Sequence, residues 1–513
     1  MFYQRRDTDQ LKRNRKVSIN DKFIVECMEG ESIYRVLTDS GFTFLGHCGG
    51  KGICGKCFVK VKPLCEASQK TDGIAREEDG SDINCAPDGK EETVLACQYD
   101  IQEDLAVYTG DLWQDIGNNK RMDTHNGTLA EDRIMDIGKK TDRQTDKRMV
   151  EDIKNVGVAV DLGSTTIVVS CIDLEKKEEL TTFSFTNPQY TYGADVISRI
   201  RFCMENEKNL LMLGQIVEKA LNEKLIEKLG TAYSHIKRVV YSGNTTMLHI
   251  LRGFSVEGLS RSPFLPVSTD YEEIDKNAVK IIYPPGFSAF VGADILTGAD
   301  VLEIGKKEAY DLLVDLGTNG EILLINKDCG MAAATACGPV FDSAVKGAVY
   351  GSESIKAIAN CVKRRLVDKT GKIAGPYFEK GITIDKGFVI SQENIRNFQL
   401  AKGAIYAGIQ CLLRESGITA DCIGNVYISG GLGFYMNIRD AFTVKMLPEE
   451  FRDKITISGN TSLEGAKKLV AADIRERSVI LSEYEAIKER TKSLELADLE
   501  GFQEIYMHSL DFG

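Results

Sequence analysis

The stretch NVGVAVDLGSTTIVVSCID, residues 155–173, is written a second time in altered form as YDLLVDLGTNGEILLIN, residues 310–326. Each copy is a β-branched apolar run, a glycine turn and a second apolar run. That is the pattern of two buried strands joined by a tight hairpin. The tetrapeptide VDLG stands at 160–163 and again at 314–317. Self-similarity at this separation, in the same strand–turn–strand context, predicts two duplicated halves of one fold.

The turns carry chemistry as well as shape. The first offers Asp161, Gly163, Ser164 and Thr165, the second Asp315, Gly317, Thr318 and Asn319. A glycine hairpin can aim backbone N–H groups and hydroxyls at phosphate oxygens. An aspartate at the strand end can hold a hydrated Mg²⁺ or orient an attacking water. Asp161 and Asp315 are therefore the expected catalytic carboxylates, and Glu321, just past the second turn, is expected to help position water or metal. Neither turn is a Walker A loop or a G-x-G-x-x-G loop, so those nucleotide folds find no support. A single D-x-G-[ST] is weak, because a hairpin with an Asx hydrogen bond uses the same residues. Two copies facing one cleft carry the argument. A third glycine turn lies in VYISGGLG, 426–433, where Gly430 and Gly431 let the backbone lie flat against a base or ribose. Asn244, after the strand VVYSG, suits a cleft loop, although a purely structural polar turn reads equally well. These three pieces in this order resemble the actin-like ATPase superfamily, which includes sugar kinases, acetate kinase and chaperone ATPases. The resemblance implies bound ATP with Mg²⁺.

Upstream of the duplication lies HCGGKGICGKC, residues 47–57, and forty residues on, VLACQ. Cys48, Cys54, Cys57 and Cys97 give C-x5-C-x2-C and a remote fourth cysteine. That is one residue longer in the first gap than the plant-type ferredoxin spacing, and favours a 2Fe–2S cluster. The glycines of the loop allow main-chain N–H groups to reach the sulfurs. Residues 17–27 alternate as a strand, 31–40 read as a short helix ended by Gly41, and 58–61 as another strand. Together they suit a β-grasp ferredoxin-like domain over 17–110, preceded by a basic arm, 1–16. An acidic polar insertion, 66–92, interrupts it. Residues 111–154 are highly charged and poor in large apolar side chains, and read as a linker. The two halves of the ATPase then span 155–300 and 301–513, the second with C-terminal helices expected to close it. The fold class expected is thus multidomain, α+β and α/β.

Composition bounds the rest. The 513 residues are 43% hydrophobic and 27% charged, an ordinary globular balance, and the net charge of −12 argues against nucleic acid as a partner. No run approaches the roughly eighteen apolar residues of a membrane span. Fourteen cysteines in a long acidic chain fit a reducing cytoplasm better than a disulfide scaffold. Cys27 reads as a buried small hydrophobe, and a second metal site at Cys65 and Cys85 is disfavoured. His47 lacks the second histidine of a Rieske centre, and His249, on an apolar run, reads as a satisfied core histidine.

Four further segments sharpen the resemblance: VVYSGNTTMLHILRG (239–253), FVGADILTGAD (290–300), ACGPVFDSAVKGAVYG (336–351) and QLAKGAIYAGIQCLL (399–413). With the cysteine motif, the whole chain resembles the reductive activators of corrinoid-dependent enzymes. The resemblance implies one-electron transfer from the cluster to cobalt(II) of a corrinoid protein, regenerating cobalt(I) in a methyltransferase system at the expense of ATP. It implies as partners the corrinoid protein and a low-potential reductant, and leaves a homodimer open. A plant-type cluster sits near −400 mV, and cobalt(I) is harder to reach than that. Since about 59 mV equals about 1.4 kcal/mol for one electron, nucleotide energy can offset a gap of a few hundred millivolts. The competing readings are an actin-like chaperone or scaffold, or a small-molecule kinase, with a redox-sensing cluster. A kinase would need a carboxylate base beside a hydroxyl pocket, and no such motif stands out. Activators of radical acyl-CoA dehydratases fit poorly, because they lack a ferredoxin module.

Overall fold

The computed structural model describes residues 14–40, 42–44, 57–64, 92–109, 113–115, 122–123, 153–317, 319–335, 337, 351–384 and 389–513. Cys48, Cys54, His47, Cys65, Cys85 and Thr318, residues 66–91 of the insertion read at 66–92, and the turn after Cys337 lie outside the described residues. Contacts divide the chain into two units, Met1–Met135 and Asp136–Gly513.

In the first unit six strands lie in the order Glu92–Leu95, Phe58–Pro63, Leu105–Thr109, Asn14–Ile19, Phe23–Met28, Met122–Asp123. The central pair, Asn14–Ile19 and Leu105–Thr109, is parallel and is flanked by antiparallel partners, the β-grasp arrangement. Val17, Ile19, Leu37, Val59, Leu105 and Val107 fill the core beneath the helix Ile33–Asp39. Ser32 caps that helix by accepting from the Arg35 amide at 3.3 Å.

The stretch 17–27, expected as one strand, is a hairpin. Asn20 and Asp21 turn it with φ of 54° and 55°, the left-handed pair that suits a tight hairpin. The inward residues Val17, Ile19, Val25 and Cys27 keep one odd-numbered rhythm through the turn, so periodicity alone cannot reveal it. Within the stretch read as linker, Trp113–Asp115 pairs with Phe42–Phe44, and Met122–Asp123 pairs with Phe23 and Ile24.

Among the described residues the second unit contains two six-stranded sheets and a small pair, Ile382–Thr383 with Val389–Ile390. The first runs Glu178–Thr186, Thr166–Asp173, Val156–Leu162, Ile236–Gly243, Val279–Tyr283, Glu272–Lys276. The second runs Thr491–Leu494, Gly330–Thr335, Gly320–Ile325, Tyr310–Leu316, Ile423–Ser429, Ile455–Gly459. Five strands of one match five of the other in order and direction. In each, the hairpin carrying VDLG is antiparallel and the next strand joins it in parallel. The register repeats too: Asp161 lies opposite Ser242, and Asp315 opposite Ser429. The duplication read from two tetrapeptides is therefore a duplication of whole sheets.

Helices cover both. Glu207–Leu229 lays Leu213, Val217, Leu221 and Leu225 on the first sheet, and Gln392–Glu415 lays Ile395, Phe398, Ile405 and Ile409 on the second. Each such side chain contributes about 1.5–3 kcal/mol through burial. Of the C-terminal helices expected to close the second half, Thr461–Ala471 lies instead between the sheets. It packs on Ala293–Val301 and on the first sheet, where Leu463, Ala466, Leu469 and Val470 join Ala159, Val240, Ile295 and Leu296 in one core. It belongs to the second half by sequence but packs on elements of the first, a fact that periodicity along one segment cannot express. The two helices cross where Gly465 meets the Thr297 carbonyl and Gly298 meets Thr461. A Cβ on either glycine would lie 2.3 Å or 2.6 Å from those groups.

Candidate nucleotide site and cluster ligands

The parallel strand next to each hairpin ends beside an aspartate, and side chains from outside the hairpin hold each aspartate. In the second half, Ser429 Oγ donates to Asp315 Oδ2 at 2.6 Å. In the first, Asp161 accepts from Asn460 Nδ2 and Ser462 Oγ, both at 2.8 Å. Glu321, facing Asp315 across the hairpin, is 5% exposed.

Asp294, at the start of Ala293–Val301, completes a group of four carboxyls. Burial, and then the charges of Asp315 and Asp161, push its carboxyl up to about 8. Asp315 is pushed up to about 6, chiefly by burial, with Ser429 opposing and Asp161 adding to the rise. Burial raises Glu321 strongly, reinforced by Asp294 and Asp315. It raises Asp161 against the hydrogen bonds from Asn460 and Ser462. Four carboxyls that resist ionising together are a site where a cation would be welcome. Among the described residues no three His, Cys, Asp or Glu side chains converge closely enough to grip a bare ion. A hydrated Mg²⁺ keeps several waters and needs few direct protein ligands.

The first turn is fixed from outside the cleft. Asn187 Nδ2 donates to the Gly163 carbonyl at 2.8 Å, the Asn187 amide to the Thr165 carbonyl at 2.7 Å, and the fully buried Arg199 to the Ser164 carbonyl. Ser164 and Thr165 are 8% and 7% exposed. In the second turn the Gly317 amide donates to the Asn319 carbonyl at 3.0 Å. Gly430 has φ of 85°, and a Cβ there would lie 2.6 Å from the Leu316 carbonyl and 2.7 Å from Asp315 Oδ1, whereas one on Gly431 would meet open space. Glycine is thus required at 430 by conformation and by the closeness of Asp315. Asn244 is a helix cap: its Oδ1 accepts from the Met247 amide at 2.9 Å, and its backbone packs against Gly292.

The structure therefore brings Asp161, Asp315 and Glu321 into one electrostatic group, with the Gly430 turn beside Asp315. It adds Asp294, Asn460, Ser462 and Ser429, which the sequence reading did not select. Ser429 adjoins the glycine pair and Asp294 lies in FVGAD, so both had a local signal. Asn460 and Ser462 carried only a helix-start signal, with nothing to show that they reach Asp161.

In the first unit Cys57 and Cys97 come together with Sγ atoms 3.0 Å apart. This is well beyond the ~2.05 Å of a disulfide. The Cys97 amide points at Cys57 Sγ at 3.4 Å, and the Ala96 amide donates to the Cys57 carbonyl at 2.9 Å. Two converging thiols with an amide aimed at sulfur fit an iron–sulfur ligand pair. Cys27 is buried, its thiol pushed up to about 11 by desolvation. His249 contacts the Thr245 carbonyl at 2.8 Å through Nδ1 and accepts from the Val267 amide at 3.1 Å through Nε2. Desolvation lowers it to about 4, the satisfied core histidine expected. Among the described residues no helix is long and apolar enough to cross a membrane.

Two copies of one sheet, with an aspartate-bearing glycine turn in each and a third glycine turn on the second, define an actin-like ATPase unit. Family models agree: residues 156–307 match the RACo middle region, and residues 309–348 and 343–512 match the C-terminal domain of RACo, the ASKHA domain. The chain belongs to the RACo family. It is 25% identical to the corrinoid activation enzyme RamQ of Eubacterium limosum, over 91% of this chain and 93% of that protein. It is 24% identical to the [Co(II) methylated amine-specific corrinoid protein] reductase of Methanosarcina barkeri, over 69% of this chain and 77% of that one. The solved structure of a reductive activator for corrinoid,iron-sulfur protein superposes with a TM-score of 0.63 at 23% identity, covering 97% of this chain and 98% of that one.

Proposed function

We propose that this protein is an ATP-dependent reductive activator of a corrinoid protein. It would pass one electron to cobalt(II) and regenerate cobalt(I) in a methyltransferase system. The observation that carries the reading is the presence, in one chain, of a thiol pair at Cys57 and Cys97 and an ATPase cleft with buried carboxyls. An electron carrier alone has no use for the second, nor a kinase for the first. Cys48, Cys54, Cys57 and Cys97 would hold a 2Fe–2S cluster, which supplies one-electron chemistry when bound. Asp315 and Glu321 would hold the water shell of Mg²⁺ and orient an attacking water. The turns at Gly163, Ser164, Thr165 and at Gly317, Thr318, Asn319 would receive the phosphates, and Gly430 and Gly431 the nucleoside. Asn244 would stiffen the cleft wall as a helix cap.

ATP binding between the two halves would then favour a grip on the corrinoid protein in which cobalt accepts the electron more easily. A low-potential reductant would load the cluster, and the cytoplasm supplies the reducing conditions the thiols need. The test is direct. Reduced protein, Mg-ATP and a cobalt(II) corrinoid protein are mixed, and the cobalt(I) absorption band is followed. The reading expects the band to appear only with ATP. Equal reduction without nucleotide would refute the coupling.

A further inference from the structure

The duplicated register gives each half an aspartate facing a serine, but the two pairs are wired differently. In the second half Ser429 bonds Asp315 directly at 2.6 Å. In the first half Ser242 does not reach Asp161. Ser462, from the helix between the sheets, stands between them, 3.0 Å from Ser242 Oγ and 2.8 Å from Asp161 Oδ1. Asn460 occupies the other carboxylate oxygen. Ser242 Oγ in turn lies 2.9 Å from Thr297 Oγ1, on the helix that begins at Asp294, and Thr297 Oγ1 also reaches the Asp294 carbonyl at 3.1 Å. Ser242, Thr297 and Ser462 are each at most 4% exposed.

A carboxylate accepts only, and each hydroxyl has one proton. The chain is therefore ordered: Ser462 donates to Asp161, so Ser242 donates to Ser462, and Thr297 donates to Ser242 in place of the Asp294 carbonyl. Asn460 is held as well, because its Oδ1 caps the same helix by accepting from the Leu463 amide at 2.9 Å. The far end of that helix is tied to the first sheet, where Arg238 donates to the Val470 and Ala472 carbonyls at 2.5 and 2.6 Å.

We infer that Asn460 and Ser462 are positioning residues. They hold both oxygens of Asp161, and through the Ser242–Thr297 hydroxyls they tie its orientation to the helix carrying Asp294. The inference rests on the nucleotide reading for what Asp161 is positioned to do. The geometry of the clamp stands without it.

The test uses the full-length protein and the variants Asn460→Ala, Ser462→Ala and Ser462→Thr. Hydrogen exchange without nucleotide is expected to speed up about tenfold or more over residues 161–166 in both alanine variants, with the rest of the first sheet unchanged, as the loss of one charge-assisted hydrogen bond implies. In steady-state ATP hydrolysis, kcat should fall by a similar factor with KM for ATP within about twofold. Ser462→Thr, which keeps the hydroxyl, should restore both. Unchanged exchange at 161–166, or a threonine variant as impaired as alanine, overturns the clamp. Wild-type protein that hydrolyses no ATP would refute the nucleotide reading instead, while the exchange measurement still decides the clamp.

Discussion

Asp315 accepts one side-chain bond, from Ser429, and sits directly against the Gly430 backbone, whereas Asp161 accepts two. The carboxylate with fewer protein donors is the better placed to engage a metal-bound water, and burial pushes its carboxyl up to about 6. Asp315→Ala is expected to lower ATP hydrolysis about a hundredfold or more, while the visible spectrum of the reconstituted cluster stays as in the wild type. A variant that loses both would show that Asp315 supports folding rather than turnover. The aspartates, the turn glycines and Glu321 were legible from residue type and spacing. Asp294 was not selected, because its local signal, one acid at a helix start, is also an ordinary N-terminal preference.

At the scale of elements, the crossing of Ala293–Val301 with Thr461–Ala471 joins the halves. The contact of Gly465 with the Thr297 carbonyl leaves no room for a Cβ. Gly465→Val would push the helices apart and destabilise the second unit by about 1–3 kcal/mol, the usual range for overpacking. Because Asn460 and Ser462 ride on the displaced helix, ATP turnover should fall further than stability alone explains. Thermal unfolding and kcat measured on the same samples check this, and a stability loss with full activity among folded molecules would contradict it. The strands of both hairpins were legible because each carries an uninterrupted apolar run. The hairpin inside 17–27 was hidden by a turn that keeps the alternation in phase, and the placement of Thr461–Ala471 by its packing on elements of the other half.

At the scale of the molecule, the buried carboxyls make the ATPase unit sensitive to pH and to cations. Folding raises Asp294 from 3.8 to about 8 and Asp315 from 3.8 to about 6. A carboxyl raised on folding binds its proton more tightly in the native state. Its contribution to stability is therefore complete below pH about 4 and fades as pH climbs through about 6 and about 8. Mg²⁺ bound beside these groups would oppose that loss by neutralising the ionised forms. The melting temperature without metal should thus decline from pH 5 to pH 8 through this term, and the increment on adding Mg²⁺ should be larger at pH 8 than at pH 5. Calorimetry on the wild type and on Asp294→Asn separates the cluster from other titrations, since the variant should lose most of the pH dependence of the increment. An increment independent of pH would show that Mg²⁺ does not bind beside these groups.

The sequence by itself determined the duplicated hairpins and the joining of a β-grasp domain to an actin-like ATPase unit, because each is written in short local patterns that backbone geometry makes specific. The tertiary structure alone decided which carboxyls share a site, which of the two aspartates is clamped, and that a helix from the C-terminal region ties the halves together. Those outcomes depend on hydrogen bonds between residues as far apart as Asp161 and Ser462 and on burial that no single segment creates.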